Sequence, residues 1–395
     1  MGDLSALTNG QPRAIWSIFF LCCTLPVVLY VGWQLRNLVG WRRAVALSRS
    51  VEAANHRGAQ RGLPAVAIIV PYRNEAANLP RLADSLLAQD YPGPQEFLFV
   101  DDHSTDGGAD LLPPQVRRLS LRDYLKGRPT VAHKKAALTY AIESTEATLV
   151  VTTDADCHWP PDRLRRIVAQ YGAGNTDVVL GPVLIEPVRD ACDGFQALDL
   201  VAYQFLTGAT AGWGRPVLAN GANFSFRRDR FLAAGGYGGV DHLPSGDDVL
   251  LLHKFTVGEQ AAATGRVGYA ADAAVSTRPV DGWGALWRQR LRWAGKAGEY
   301  VHPGLQVAQA LAFVTSLTLL SLLFTLPWHL RPRPLLLLWG LKAAVDLLCL
   351  AVVLRHFERL SDLRWFPLAT VIYPFFLVAV GTAALLGVKV GWKGR

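Results

Sequence analysis

Four stretches of this chain are too long and too apolar to be spent on an ordinary water-soluble core. The first, Ala14–Trp33, reads AIWSIFFLCCTLPVVLYVGW and carries no charge. About 20 such residues are what a helix needs to cross a bilayer. Three more runs, 305–328, 335–354 and 365–388, are each long enough to do the same. The first run has only Arg13 before it and no small-residue cleavage site after it, which argues for a span over a signal peptide. Arg36, Arg42, Arg43 and Arg49 come next, so the positive-inside rule puts the N-terminus outside and the following stretch in the cytoplasm. Lys342 and Asp346 fall near the middle of the third run at i and i+4. An ion pair turned toward the bundle interior is the first expectation there, and a part in substrate passage the second.

Composition agrees. Hydrophobic residues are 51% of the 395, and 40 Lys and Arg against 32 Asp and Glu leave a formal charge of +8. That balance suits anionic lipid surfaces or phosphorylated ligands. No nucleic-acid-binding motif is present, so nucleic acid is not an expected partner. The five cysteines form no C-x-x-C pair and no framework spacing, which implies neither a zinc framework nor structural disulfides.

Between the spans, 65–300 reads as α/β. AVAIIVPY and EFLFVDD have the unbroken apolar character of buried parallel strands, and NLPRLADSLLAQD between them has helical periodicity. TLVVTTDAD is a third strand, entered from the helical KKAALTYAIEST. The polar clusters fall at the strands' carboxyl ends, where open α/β sheets bind ligands.

Each cluster has a functional and a bland reading. Asp101 and Asp102, before HSTDGG, can hold ribose hydroxyls or a base edge, or simply make a turn. Asp154 and Asp156 stand one residue apart, and both can reach a Mg²⁺ or Mn²⁺ ion shared with substrate phosphates; otherwise they form an acidic turn before a helix begun by Pro160 and Pro161. His133, Lys134 and Lys135 sit where a cation and a helix N-terminus could hold pyrophosphate, or where a helix merely starts in water. Asp247 and Asp248 open a helical run, as caps or with one acting as a general base. In WRQRLRWAGK, Gln289, Arg292 and Trp293 share a helical face and Arg290 points away from it. An interfacial amphipathic helix is the plain reading.

The order of these segments is more telling than any one of them. PYRNEAANL, VDDHSTDGG, HKKAALTYA, TTDADCHWP, GANFSFRRDRF, GGYGG, SGDDVLL and QRLRW follow at spacings that resemble the processive-type glycosyltransferases of family 2. That group includes membrane cellulose, hyaluronan and poly-N-acetylglucosamine synthases and ceramide-glucosyltransferase-like enzymes. The resemblance covers residues 65–300 and extends to the flanking spans, with Q-x-x-R-W its most specific element.

The resemblance implies a GT-A (nucleotide-diphospho-sugar transferase) domain flanked by transmembrane helices. Its segments would be a transmembrane helix in 1–35, a cytoplasmic linker in 36–64, the transferase domain in 65–280, an interface helix in 281–300 and three spans in 301–395. It implies that Glu75 and Asp102 contact uridine and that Lys134 lies near the donor. Asp154 and Asp156 match the D-x-D, with Asp156 the direct ligand of Mg²⁺ or Mn²⁺. Asp248 matches the catalytic base, preceded here by Asp247 where the family has Glu. Gln289, Arg292 and Trp293 match the acceptor end, Arg292 countering the diphosphate and Trp293 stacking on the acceptor; Trp287, Arg288 and Arg290 would serve the membrane face. The implied reaction is inverting transfer from a UDP-sugar to a lipid or short-glycan acceptor, in an inner or plasma membrane with the catalytic domain in the cytoplasm. Processive polysaccharide synthesis is the alternative within the enzymes. A non-catalytic glycan-binding membrane protein is the alternative outside them, and a transporter would rest on Lys342 and Asp346 alone.

Overall fold

The computed structural model describes residues 11–58, 62–172, 176–257, 266–329 and 332–388. The ends of the expected terminal segments, 1–10 and 389–395, lie outside the described residues. The chain divides into two compact units, one of residues 39–280 with 299–302, the other of 1–38, 281–298 and 303–395.

The first unit is α/β. Helix α1 (Gln11–Gly58) enters it at residue 39. Strand β1 (Val66–Tyr72) is followed by α2 (Leu79–Leu87) and β2 (Gln95–Asp101), then β3 (Arg117–Ser120) and the short α3 (Leu121–Leu125). Helix α4 (His133–Glu143) leads into β4 (Leu149–Thr152). After β5 (Cys157–His158) come α5 (Arg163–Ala169), β6 (Thr176–Leu180), β7 (Val183–Ile185) and α6 (Ala191–Gly212). Strand β8 (Phe224–Arg227), α7 (Arg228–Ala233), α8 (Val249–Thr256), β9 (Arg266–Tyr269) and β10 (Val275–Thr277) complete the unit.

The seven-stranded sheet runs β3-β2-β1-β4-β8-β6-β9. β1 pairs parallel with β2 and β4, which is why it reads as continuously apolar: both faces are covered. α2 places Leu79, Leu82, Ala83 and Leu86 on one face toward the core, a spacing of i, i+3, i+4 and i+7. Because β1, β2 and β4 are parallel, the segments after Tyr72, Asp101 and Thr152 leave from the same edge of the sheet. β8 pairs antiparallel with both β4 and β6, and a smaller sheet, β5-β10-β7, forms beside the metal-type acids at 154 and 156.

Two expectations change. Residues 36–58, read as a linker, continue the helix of the first span. Within the α/β unit the reason is packing. A Cβ on Gly40 would lie 2.4 Å from the Ala209 carbonyl oxygen, and one on Gly212 would lie 2.0 Å from that of Gly40, so two glycines let α1 and α6 touch backbone to backbone. Trp41, 1% exposed, packs its ring on Phe205 and Tyr269. Arg49 pairs with Asp272 at 3.0 Å, and Glu52 with Arg166 at 3.1 Å. The cations that mark the end of the span thus belong to a helix that is part of the folded domain. The helix expected to begin at Pro160 and Pro161 begins at Arg163, after a turn.

The second unit holds the start of α1, α9 (Gly282–Ala294), α10 (Pro303–His329), α11 (Pro332–His356) and α12 (Phe366–Leu385). Among the described residues four helices are long and apolar enough to cross a membrane: α1, α10, α11 and the segment Leu360–Leu385. Cys23 and Val27 of α1 pack with Leu319, Leu322, Leu335 and Leu338. Lys342, 3% exposed, pairs with Asp346 at 2.6 Å, and Asp346 also accepts from the Tyr30 hydroxyl at 2.7 Å. The rings of Tyr30 and Tyr373 lie 5.3 and 5.5 Å from the ammonium. A charge buried in an apolar bundle needs such partners, and here they come from three helices.

Candidate active site

Two loops at the carboxyl edge of the sheet are stitched together by side chains. Asn74 takes a left-handed backbone, φ 53°, and its amide oxygen accepts from Thr105 N–H at 2.8 Å while its own N–H donates to Ser104 Oγ at 3.0 Å. Asp106 accepts from Ala76 N–H at 2.8 Å. Glu75 is held by the Asn78 amide at 2.6 Å. At the tip of β2, Asp102 is 4% exposed, and its Oδ1 faces the Nδ1 atoms of His103 at 2.9 Å and His133 at 3.0 Å.

A second group gathers about Lys134, in the first turn of α4. Its ammonium lies 2.7 Å from Asp154 Oδ1 and 3.1 Å from Asp247 Oδ2. Burial acts to depress this ammonium, but the charges of Asp154, Asp247 and Asp248 outweigh it and hold Lys134 well above the usual lysine range. Burial pushes the Asp156 carboxyl up to about 6, with the nearby charges of Asp154 and Glu75 adding to the effect. Asp248 sits at the start of α8: Oδ1 accepts from Val249 N–H at 2.7 Å and Oδ2 from Gly221 N–H at 2.9 Å. At Gly221 the backbone comes close to this group. A Cβ there would lie 3.0 Å from Asp247 Oδ2, 3.1 Å from Lys134 Nζ and 3.7 Å from Asp248 Oδ2.

The structure therefore gathers Lys134, Asp154, Asp247 and Asp248, sets Asp156 in the field of Asp154 and Glu75, and sets Asp102 between two histidines. Gln289, Arg292 and Trp293 lie on α9 in the other compact unit. On that helix Arg290 does not serve an outer face. It is 5% exposed, bonds Gln289 Oε1 and lies 4.1 Å above the Trp293 ring, because the cation finds an aromatic face and an amide on its own helix. Trp287 packs edge-on against Phe376 of α12.

Lys135 also departs from expectation. It does not offer a cation to pyrophosphate: it is 1% exposed, and its ammonium donates to the Val240 and Leu243 carbonyls at 2.6 and 3.0 Å. It thereby ties α4 to the loop that ends in Asp247 and Asp248. Lys254 does the same from α8, donating to the Gly236 and Gly238 carbonyls at 2.6 and 2.9 Å. Gly221 and the loop-holding roles of these lysines leave no local signal in the sequence, since their partners are remote in the chain.

The acids fit a divalent cation of the Mg²⁺ or Mn²⁺ class. Burial and the charges of Asp154 and Glu75 raise the Asp156 carboxyl, and a bound cation would favour its ionised form; a lysine ammonium already stands against Asp154. Among the described residues no third carboxylate, imidazole or thiol closes on Asp154 and Asp156 as a ready cage. Oxygen-poor sites of this kind suit an ion that takes its remaining ligands from water and phosphate.

Residues 67–192 match glycosyl transferase family 2, and residues 149–381 match glycosyl transferase family group 2. The chain is 29% identical over 311 residues to a beta-monoglucosyldiacylglycerol synthase of Synechocystis, a match covering 76% of this chain and 60% of that protein. It is 21% identical over 293 residues to the probable glycosyltransferase YdaM of Bacillus subtilis, covering 72% of this chain and 67% of the relative. An undecaprenyl-phosphate 4-deoxy-4-formamido-L-arabinose transferase of Aeromonas hydrophila is 32% identical over 111 residues, 26% of this chain and 32% of its own. The chain thus spans about a third to two thirds of the length of these relatives. In fold it is similar to a mannosyltransferase of Pyrobaculum calidifontis solved with GDP-Man and Mn²⁺, with TM-score 0.53, 19% identity, and coverage of 89% of this chain and 100% of that one.

Proposed function

The chain belongs to the family 2 glycosyltransferases, and on that premise we propose that it is a membrane-bound enzyme moving one sugar from a nucleoside diphosphate donor to a lipid acceptor. The observation that carries this reading is the gathering of Asp154, Asp247 and Asp248 about Lys134, beside Gly221. Lys134, Asp247 and Asp248 crowd the backbone at Gly221, and Asp154 joins them through Lys134, at the sheet edge where α/β folds bind ligands.

In this reading Asp102 and Glu75 hold the nucleoside, with uridine the preferred base. Lys134 attends the diphosphate, exchanging a carboxylate partner for phosphate oxygens. Asp154 and Asp156 would hold the divalent ion, Asp156 directly, and that ion would neutralise charge on the leaving diphosphate. Asp248 takes the proton from the acceptor hydroxyl as that oxygen attacks the anomeric carbon and the carbon–diphosphate bond breaks, inverting the centre. Two backbone N–H groups fix its carboxylate, which supports a base of defined direction. For Gln289, Arg292 and Trp293 the proposal rests on the Q-x-x-R-W motif: acceptor contacts from Gln289 and Trp293, and charge on the leaving group met by Arg292.

The lipid acceptor is supported by four apolar helices and by relatives named for glucosyldiacylglycerol and undecaprenyl-phosphate products. The arginines after the first span support a cytoplasmic catalytic domain in a cell's inner or plasma membrane. A donor screen of the purified protein with Mg²⁺ and Mn²⁺, in lipid nanodiscs, tests the reading. It should release nucleoside diphosphate from one UDP-sugar and give a labelled product that extracts into organic solvent. A water-soluble polymer as the sole product would overturn the lipid acceptor.

A further inference from the structure

We infer that Asp102, His103 and His133 form a second cation site, of the zinc class, separate from the acids at 154 and 156. Among the described residues these three make a group whose ligand atoms all lie within 4.8 Å of one another. Both Nδ1 atoms face one oxygen, Asp102 Oδ1, at 2.9 and 3.0 Å. The two rings stand edge to face, 83° apart with centroids 5.9 Å apart, and each turns its Nδ1 toward Asp102. His103 reaches this point through a left-handed backbone, φ 60°, a region that histidine enters more readily than most residues. His133 is set by its place as the first residue of α4.

Three protein ligands with a fourth position left to water or an anion is the arrangement of an open zinc site. Tetrahedral ligands about Zn²⁺ stand roughly 3.3 Å apart, given metal–ligand bonds of about 2.0–2.1 Å. The separations to Oδ1 need only widen by a few tenths of an ångström, and the imidazoles have room, their side chains being 29% and 19% exposed. Without an ion, the Nδ1 protons donate to Asp102; with one, the neutral rings carry their protons on Nε2 and give Nδ1 lone pairs to the metal. Imidazole favours Zn²⁺, whereas the all-oxygen acids favour Mg²⁺ and Mn²⁺, so the two sites select different ions. The cysteine-based sequence patterns that signal zinc are absent, since here the ligands come from the loop after β2 and the first turn of α4. If Asp102 also reads the nucleobase, which rests on the proposed function, zinc at this site competes with the donor.

The test is Zn²⁺ titration of the full-length protein in detergent against a chromophoric chelator, without nucleotide. Wild type and Asp156→Asn should bind one equivalent with equal affinity. The double variant His103→Asn, His133→Gln should bind at least tenfold more weakly; Asn tolerates the left-handed backbone, and an unchanged melting temperature certifies the fold. Absence of stoichiometric zinc in wild type, or undiminished binding by the folded double variant, overturns the site. Uridine diphosphate should then displace the ion. Zinc that stays bound in its presence leaves the site standing and removes Asp102 from the nucleobase instead.

Discussion

At the scale of the residue, the acids were legible and their supports were not. Asp102, Asp154, Asp156 and Asp248 announce themselves as carboxylates at strand ends and at a helix start. Gly221 does not, because its importance is set by Asp247 and Lys134, both distant in the chain. Lys135 looks like its neighbour Lys134, and only burial and its carbonyl partners distinguish a loop fastener from the cation that meets Asp154 and Asp247. Gly221→Ala follows directly from this geometry. Its backbone is compatible with alanine, so the fold should survive, but the methyl would press on the Lys134–Asp247 pair at 3.0–3.1 Å. We expect transfer to fall at least tenfold, corresponding to about 1.4 kcal/mol in the transition state. Steady-state kinetics with a melting curve check this, and full activity in a folded variant would show that the pair can move aside freely.

At the scale of the element, β1, β2 and β4 could be read because long buried parallel strands are apolar throughout. β5, β7 and β10 could not: at two or three residues no periodicity exists, and only their pairing defines them. The continuation of α1 was hidden because arginines after a span look like a solvated linker, whereas Gly40, Trp41 and Gly212 make a helix contact. Helix α8 carries a pH-dependent feature of its own. His253, 2% exposed, donates from Nε2 to the Val217 carbonyl at 3.1 Å and faces His302 and Tyr300. Burial pushes its imidazole down to about 4, with the neighbouring His302 acting the same way and the Val217 carbonyl opposing. In the unfolded chain the same ring titrates near 6.5. Between these values the unfolded state binds the extra proton, so stability rises with pH across the window and is lost as pH falls from about 6.5 to 4. The loss amounts to as much as ~3 kcal/mol. His253→Phe should flatten the fall of melting temperature over that range. Identical pH profiles for the two proteins would mean that His253 is not held neutral.

At the scale of the whole molecule, four apolar helices and a positive cluster were legible from composition alone, as was an α/β domain between them. How the chain partitions into compact units was not, since 299–302 group with the α/β unit although the residues on either side group with the helices. The proposed topology predicts that a cysteine at exposed Arg122, in a background without native thiols, reacts in intact cells only with membrane-permeant reagents. Efficient reaction with an impermeant reagent would place the domain outside. The central claim is that this chain transfers a sugar by way of Asp248 as base, and Asp248→Asn tests it most directly. Asparagine caps a helix about as well as aspartate, so α8 should form, with a small stability loss of about 1 kcal/mol where its amide meets an N–H. With the purified variant in nanodiscs, nucleotide-sugar binding should stay within a few-fold of wild type while labelled glycolipid falls ~10²–10⁴-fold. Near-normal transfer by the folded Asp248→Asn protein would contradict the account.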